Sequence, residues 1–388
     1  MSELAGARLA IAVTAPRTAS FYAGQLAALR AAGAEVHFLS SPSDEVADQC
    51  AAERVAFVPI AIERAPSPWA DVRALNQIRR ELARIRPDLI NSGTPKMGLL
   101  AGLAAAAQRI PTRVHTLHGL RFEAASGAAR AALWSAQRLS CASATHVVCV
   151  GPSLRTRARA TQLIGPDDGI VIGDGTVNGI DTDRFHVDAR IIAAGMALRA
   201  RAGIARDAVV VGYLGRLARD KGLGDLRRAW ERTRSLEAHL LVGGAVDETD
   251  SPDAGDLAAL RSGRRVTMLG HVDDAATFLA AVDVLVLPTW REGFPTVPLE
   301  AAAMGVPVIA SDATGCADAI IDGETGALVP VRDPGALTAM IDRYIAEPAL
   351  RARQGASGAA RVRALFTRER IHQLTIDLYR SILTRRSP

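Results

Sequence analysis

The chain is poor in aromatic residues, in lysine, in paired cysteines and in long apolar runs. Phe, Trp and Tyr make up 4% of its 388 residues, too few for the stacking platforms on which single-stranded nucleic acid is held. Cys50, Cys141, Cys149 and Cys316 are scattered, with no CxxC pair and no Cys/His cluster. Neither a disulfide framework nor a zinc site is indicated, and a reducing cytoplasm is the simplest home. The longest apolar helix-like run, Met97 to Ala107, is too short to span a bilayer. The opening MSELAGARLAIAVTAP has a short apolar segment without a basic flank, and it reads as a first strand rather than a signal peptide. Membrane contact is therefore expected to be peripheral. Lysine occurs only as Lys96 and Lys221, against abundant Ala and Arg; the bias by itself points to no function. No repeat of solenoid period and no low-complexity tract is present.

What is present is an ordinary globular composition, 49% hydrophobic and 22% charged, in a chain long enough for two domains. The net charge is +5, and it is uneven: residues 1–180 hold 19 Arg/Lys against 14 Asp/Glu, and the remainder holds 27 against 27. An excess of that size in the first half fits an acidic substrate or an anionic membrane surface. It is too small to argue for nucleic acid.

The first half reads as an opening β-α-β of a doubly wound fold: strand Leu9–Thr14, a loop at Pro16–Ala19, helix Tyr22–Ala32, strand Glu35–Leu39. Gly24, near that first helix, serves packing or close approach to a ligand, with packing the commoner use. The helix Asp71–Ile85 bears Arg73, Arg79, Arg80 and Arg84, a pattern that fits a solvated face more simply than a phosphate or membrane patch. Lys96 lies at the start of the next helix, where a cation opposes the helix dipole unless an anion is near. His118, followed by Gly119, falls just past the strand Thr112–Thr116; that position suits a ligand-facing histidine as well as a structural one. Asp181 and Asp183 form a D-x-D, but without further oxygen ligands nearby they suggest a solvated turn and no metal. The domain boundary is expected near residue 186, giving domains 1–186 and 187–367 and a last helix, 368–388, that could return to the first.

The second half opens on the strand Val209–Leu214. Gly215-Arg216 and then Asp220-Lys221-Gly222 follow at its carboxyl end. Two cations with glycines at a strand exit suit a diphosphate, arginine as a fork and lysine as a point charge, although charged βα loops also occur with no ligand. The chain is organised around Val282–Ala310: a near-continuous apolar strand, the turn TWREGFPT, a helix expected to start at Thr296 as N-cap with Pro298 in its first turn, and a stop at Gly305 before Pro307. Ligands of open α/β sheets collect at carboxyl ends of strands, and a helix N-terminus there favours an anion. Glu292 on the turn and Glu300 inside the helix flank it. The stretch suits a ligand with a phosphate and hydroxyls; it equally fits a plain strand–helix–strand unit with solvated acids. His239–Gly244 and Val266–Val272 are further strand exits, and His271-Val272 is placed to meet a nucleobase through its backbone.

Together these residues resemble the retaining nucleotide-sugar glycosyltransferases of family 4, which have the GT-B fold. The family's E-x7-E motif matches EGFPTVPLE from Glu292 to Glu300, its G-R…K-G matches Gly215-Arg216 and Lys221-Gly222, its strand-end H-G matches His118-Gly119, and its N-G-[VI]-D matches Asn178 to Asp181. The resemblance covers essentially the whole chain. It implies an α/β protein of two doubly wound Rossmann-like domains facing across a cleft, acceptor on the first and nucleotide-sugar donor on the second. It further implies that Arg216 and Lys221 bind the donor diphosphate beside Gly215, that Glu300 binds the ribose and Glu292 the sugar hydroxyls, and that backbone groups around Phe294, Pro295, Thr296 and Val297 touch sugar and phosphate. His118 would face the donor sugar, and Gly24 would lie in the loop admitting acceptor and diphosphate. No cofactor and no metal are expected, the nucleotide sugar being a co-substrate.

TPKMGLL, TLHGLRFEAASG and GRLARDKG are similar to segments of bacterial enzymes that build surface polysaccharide on polyprenyl-diphosphate sugars. Two departures stand out: Asn91-Ser92-Gly93 replaces a histidine-rich strand exit, and Asp318 replaces a usual glutamate. The implied reaction is transfer of a hexose or N-acetylhexosamine, UDP-linked, to a lipid-linked sugar, with peripheral contact to an anionic membrane and no nucleic-acid partner. The other readings are a soluble small-molecule acceptor, a GT-B sugar epimerase, and a non-catalytic nucleotide-sugar sensor. The retained Arg216, Lys221, Glu292 and Glu300 argue against the last two.

Overall fold

A computed structural model describes residues 3–63 and 67–384. The chain forms two compact units, Met1–Gly179 with Glu369–Pro388, and Ile180–Arg368. It crosses at Gly179–Ile180 rather than near residue 186. Ile180 belongs to the second unit because its N–H donates to the Phe366 carbonyl at 2.7 Å and its carbonyl accepts from Arg368 N–H at 2.9 Å.

The first unit is built on a six-stranded parallel sheet. Its strands are β1 (Arg8–Ala12), β2 (Glu35–Ser40), β3 (Ala56–Pro59), β4 (Leu89–Gly93), β5 (Thr112–Leu117) and β6 (His146–Cys149), in the order β3-β2-β1-β4-β5-β6. Apolar side chains on both faces bury this sheet in two clusters, the state that near-continuous apolar strands require. One cluster includes Ile376 and Tyr379 of the last helix, Arg368–Thr384. The start of the chain differs from expectation. Pro16–Tyr22 is a 3-10 helix rather than a loop, and the α-helix covers Gln25–Ala31. Gly24 separates them in a left-handed conformation, φ 78°, which ends one helix and starts another.

The second unit repeats the plan. Strands β7 (Val209–Leu214), β8 (Ala238–Gly243), β9 (Val266–Gly270), β10 (Val284–Leu287), β11 (Val308–Ser311) and β12 (Gly326–Val329) form a parallel sheet in the order β12-β11-β10-β7-β8-β9. Counted within its own unit, each sheet has the order 3-2-1-4-5-6 of a doubly wound nucleotide-binding fold. The order reverses between β1 and β4 in one unit and between β7 and β10 in the other. Ligands of such folds settle outside the strand ends at this switch point. In the second unit the two strands there are the ones that lead into Gly215-Arg216 and into the TWREGF turn.

Candidate functional site

In the second unit the exits of β7 and β10 lie side by side. After β7 come Gly215 and Arg216, buried Leu217 and Ala218, a 3-10 turn over Arg219–Lys221, and Gly222 at the head of helix Leu223–Arg232. Gly222 is left-handed, φ 71°, and a Cβ there would stand 1.9 Å from the Pro288 carbonyl oxygen. No other residue allows the two exits to approach so closely. The approach is then sewn shut. Trp290 N–H donates to the Asp220 carbonyl at 2.8 Å, buried Thr289 Oγ1 donates to the same oxygen at 3.2 Å, and Trp290 Nε1 donates to Asp225 Oδ2 at 2.7 Å. Arg332 stacks over the Trp290 ring at 4.2 Å.

Two ion pairs bridge the exits in register. Lys221 Nζ meets Glu292 Oε1 at 2.5 Å, each side chain 14% exposed, and Arg291 meets Asp220 at 2.7 Å. Arg216 pairs with Asp247, from the loop after β8. The turn holding Glu292 rests on a third loop: Glu292 N–H donates to Thr314 O at 3.2 Å, and a Cβ on left-handed Gly315 would lie 2.5 Å from Gly293 O. Burial drives the neighbouring Cys316 thiol well above its usual pKa, and the Glu292 charge adds to the rise, so Cys316 is a thiol beside the ion pair and not a thiolate. Among the described residues no group of three or more His, Cys, Asp or Glu converges on a metal-sized site; the D-x-D acids separate, Asp181 pairing with Arg368 at 2.7 Å and Asp183 exposed.

The helix after the turn is Val297–Ala303, and Thr296 does not cap it. Its backbone is already helical (φ −82°, ψ −35°) and its side chain makes no capping hydrogen bond. The turn is anchored by burial of Phe294 and Pro295 instead, Phe294 packing on Phe366 at 5.9 Å. At seven residues this helix offers a short dipole, so an anion at the β7/β10 exits would be met first by side-chain cations. Val272 follows β9 and lies against Gly243 at the end of β8, while His271 is exposed and pairs with Asp273.

Glu300, on the inner part of that helix, differs from Glu292 in its surroundings. Burial pushes its carboxyl up to about 7, against the pull of the Arg184 and Arg368 charges. A carboxyl whose pKa rises on folding is bound more tightly to its proton in the native state. Its contribution to stability is therefore full below the ordinary carboxylate range and is lost as pH rises through about 7. We expect Glu300→Gln to remove this slope. Thermal unfolding from about pH 5 to about pH 8 should show the variant gaining on the parent, by about 2–3 kcal/mol at the upper end. A constant difference across the range would show that Glu300 is an ordinary surface acid.

The first unit carries its own cluster at the exits of β4 and β5. His118 stands one residue beyond β5, and both its ring nitrogens are buried without a hydrogen-bond partner among the described residues. Burial lowers its pKa to about 4, helped by the neighbouring His115, so the ring is neutral at pH 7. The Tyr22 hydroxyl is likewise buried and unpartnered. A Cβ on Gly93 would be 2.7 Å from His118 Nε2 and 3.2 Å from that hydroxyl, so the glycine of Asn91-Ser92-Gly93 makes room for both. Lys96 is held by Asp71 at 2.6 Å, a protein carboxylate where the sequence suggested a ligand anion. Gly24 N–H donates to Glu53 Oε1 at 3.0 Å and Ala27 N–H to Glu53 Oε2 at 2.9 Å, so this helix start is also capped by a carboxylate. Asn178 ties Ala23 O, at 2.8 Å, to His372 Nε2, also 2.8 Å away.

Sequence reasoning missed Asp220, Trp290, Arg291 and Asp247. Two of these had a visible signal: each central charge is preceded by its opposite, Asp220 before Lys221 and Arg291 before Glu292, which suits a double rung between loops. Asp247 had none, since only the fold brings the β8 exit to Arg216.

Two family descriptions match the chain: glycosyl transferases group 1 over residues 208–347, and the glycosyl transferase 4-like domain over residues 19–175. The chain is 30% identical over 373 residues, 96% of each chain, to the capsular polysaccharide biosynthesis glycosyltransferase CapM of Staphylococcus aureus. It is 33% identical over 216 residues, 53% of this chain and 59% of the relative, to the lipopolysaccharide core biosynthesis mannosyltransferase LpcC of Rhizobium leguminosarum bv. viciae. Its fold is similar to that of sucrose-phosphate synthase from Thermosynechococcus elongatus, with TM-score 0.79 and 24% identity over 98% of this chain and 100% of that one. It is also similar to Anabaena HepE in complex with UDP-glucose, with TM-score 0.78 and 19% identity over 96% of this chain and 99% of that one. At these identities the likeness is one of fold.

Proposed function

Because this chain belongs to the family 4 glycosyltransferases of GT-B fold, we propose that it moves a hexose or N-acetylhexosamine from a nucleotide diphosphate sugar to a hydroxyl of a lipid-linked sugar, with retention. The observation behind this reading is the pairing of Lys221 with Glu292 across the β7 and β10 exits, with Arg216 on the same loop as Lys221. Departure of a nucleoside diphosphate places negative charge on its β-phosphate, and Lys221 and Arg216 are the cations at hand to stabilise it. Glu292, released from Lys221 as the phosphate takes its place, is then free to accept from the sugar's hydroxyls. Glu300 is assigned the ribose hydroxyls. Phe294, Pro295, Thr296 and Val297 form the turn between the two glutamates, and their backbone N–H groups are assigned to sugar and phosphate.

In this reading the acceptor oxygen attacks the anomeric carbon on the face the phosphate leaves. The carbon–phosphate oxygen bond breaks, and the departing phosphate takes the acceptor's proton. Glu292 orients the sugar and is not the nucleophile. A UDP-sugar is supported as donor by HepE, which was solved with UDP-glucose, and a surface glycan as product by CapM and LpcC. The first unit is assigned the acceptor, with neutral His118 offering a hydrogen bond at the exit of β5. Its helix Pro68–Ile85 exposes Trp69 at 80% beside exposed Arg73, which fits peripheral contact with an anionic membrane on the cytoplasmic side.

The test is a panel of nucleotide sugars, with nucleoside diphosphate release read with and without a polyprenyl-diphosphate sugar. Release stimulated by that acceptor from a UDP-sugar, unchanged by EDTA, is the expected result. Stimulation only by a soluble acceptor would overturn the lipid-linked assignment. An epimeric nucleotide sugar as product would overturn the transfer.

A further inference from the structure

Arg216 does not stand alone at the β7 exit. Its Nη1 donates to Asp247 Oδ2, and the arginine side chain is 44% exposed while the aspartate is 6% exposed. The two partners are thus unequal, one half open to solvent and one buried. Asp247 is fixed on every side. Its Oδ1 accepts from Thr249 N–H at 3.0 Å and from Thr249 Oγ1 at 2.6 Å. Its own N–H donates to Leu217 O at 3.0 Å, and Leu217 N–H donates back to Ala245 O at 2.8 Å. Arg219 N–H donates to Asp250 O at 2.9 Å. The loop after β8 is therefore laced to the backbone of the Arg216 loop at Leu217 and Arg219, just after Arg216.

The order of dependence follows from these contacts. Hydrogen bonds from Thr249 are the largest cause holding the Asp247 carboxyl down at about 2, with the Arg216 charge a smaller one. Asp247 does not need Arg216 to stay ionised. Arg216, half exposed with no other side-chain partner among the described residues, needs Asp247 to stay in one rotamer. A guanidinium has five N–H donors, and Asp247 engages one nitrogen, leaving the rest of the fork for another anion. We propose that Asp247 is a positioning residue: it fixes the Arg216 fork at the β7 exit so that its remaining N–H groups meet the charge that develops on the leaving diphosphate. This rests on the donor-site reading above. It is a different claim from that reading, because Asp247 touches no substrate and acts only through Arg216.

The test is a double-mutant cycle of Asp247→Asn and Arg216→Met in the full-length enzyme, reading kcat and donor KM. In Asp247→Asn the amide oxygen stays with the two Thr249 donors and the amide N–H₂ is left facing Arg216, which frees the fork without emptying the loop. We expect Asp247→Asn to lower kcat by about 10-fold, a misplacement effect smaller than removal of the donor itself. Donor KM should change by no more than about twofold, because the freed guanidinium charge still attracts the donor. On the Arg216→Met background the same change should do nothing further. Thr249→Val, which lets the carboxylate swivel, should reproduce the fall in part and covers the case in which Asp247→Asn folds poorly. An unchanged kcat in both Asp247→Asn and Thr249→Val overturns the proposal. So does an equal loss with and without Arg216, which would mean that Asp247 only holds the loop. If Arg216→Met itself leaves transfer untouched, the donor-site reading fails first.

Discussion

Lys221→Met is expected to lower the turnover of sugar transfer by about 10²–10³-fold, the usual loss when one preorganised stabiliser of a leaving oxyanion is removed. The difficulty is that Lys221 also answers Glu292 in a pair only 14% exposed on each side. Removing the lysine alone strands a largely buried carboxylate, which costs about 3 kcal/mol. Activity lost through that instability would say nothing about chemistry. The double variant Lys221→Met/Glu292→Gln separates the two effects. It removes the stranded charge, so thermal stability should return to near the parent's while transfer stays lost. Recovery of transfer along with stability would show that Lys221 is a structural cation. Lys221→Arg is expected to fail as well. The site holds a compact ammonium at 2.5 Å from its partner, and a planar five-donor fork is a different shape of cation. Composition points the same way: this chain has only two lysines among 46 basic residues, and both, Lys96 and Lys221, are held in ion pairs at strand exits, 14% exposed.

What was legible in the sequence was the framework. The runs at Val209–Leu214 and Val284–Leu287 are apolar because both sheet faces are covered, and glycines and prolines mark their exits, so strands and site loops could be placed from spacing alone. Boundaries set by side-chain chemistry were not legible in the same way. Thr296 has the residue type of an N-cap, yet burial of Phe294 and Pro295 decides where the turn sits. Gly127–Ser143 is a long helix that alanines and serines leave without a clear periodic stripe. Distant partners were least legible. Asp220 and Arg291 each stand next to a predicted site residue, but their pairing needs β7 beside β10. Asp247 needs β8 beside β7 as well. The position of Lys96 suggests a nearby anion and that of Gly24 packing or close approach to a ligand; the fold supplies a carboxylate to each from its own side chains, Asp71 and Glu53. Local sequence cannot exclude such internal counter-ions, because they come from elements tens of residues away.

Gly222→Ala should be the most damaging small substitution in the second unit. Two effects add there. The residue sits at φ 71°, where a Cβ is disfavoured by about 1–2 kcal/mol. The Cβ would also stand 1.9 Å from the Pro288 carbonyl oxygen, a backbone atom that no rotamer change can move aside. Either the start of helix Leu223–Arg232 or the exit of β10 has to shift, and with it the register that sets Lys221 against Glu292 and Asp220 against Arg291. Gly305→Ala is the matching control. Its φ is 74°, and a Cβ there meets nothing within 4 Å, so it reports the backbone term alone. We expect Gly305→Ala to lose about 1 kcal/mol and to keep transfer. Gly222→Ala should lose more than about 4 kcal/mol, the range reached only by severe mechanisms, and should transfer no sugar even below its unfolding temperature. Equal unfolding temperatures for the two variants would mean that the β7 and β10 exits do not depend on this close approach. The paired charges Lys221–Glu292 and Arg291–Asp220 would then have to hold the loops together unaided.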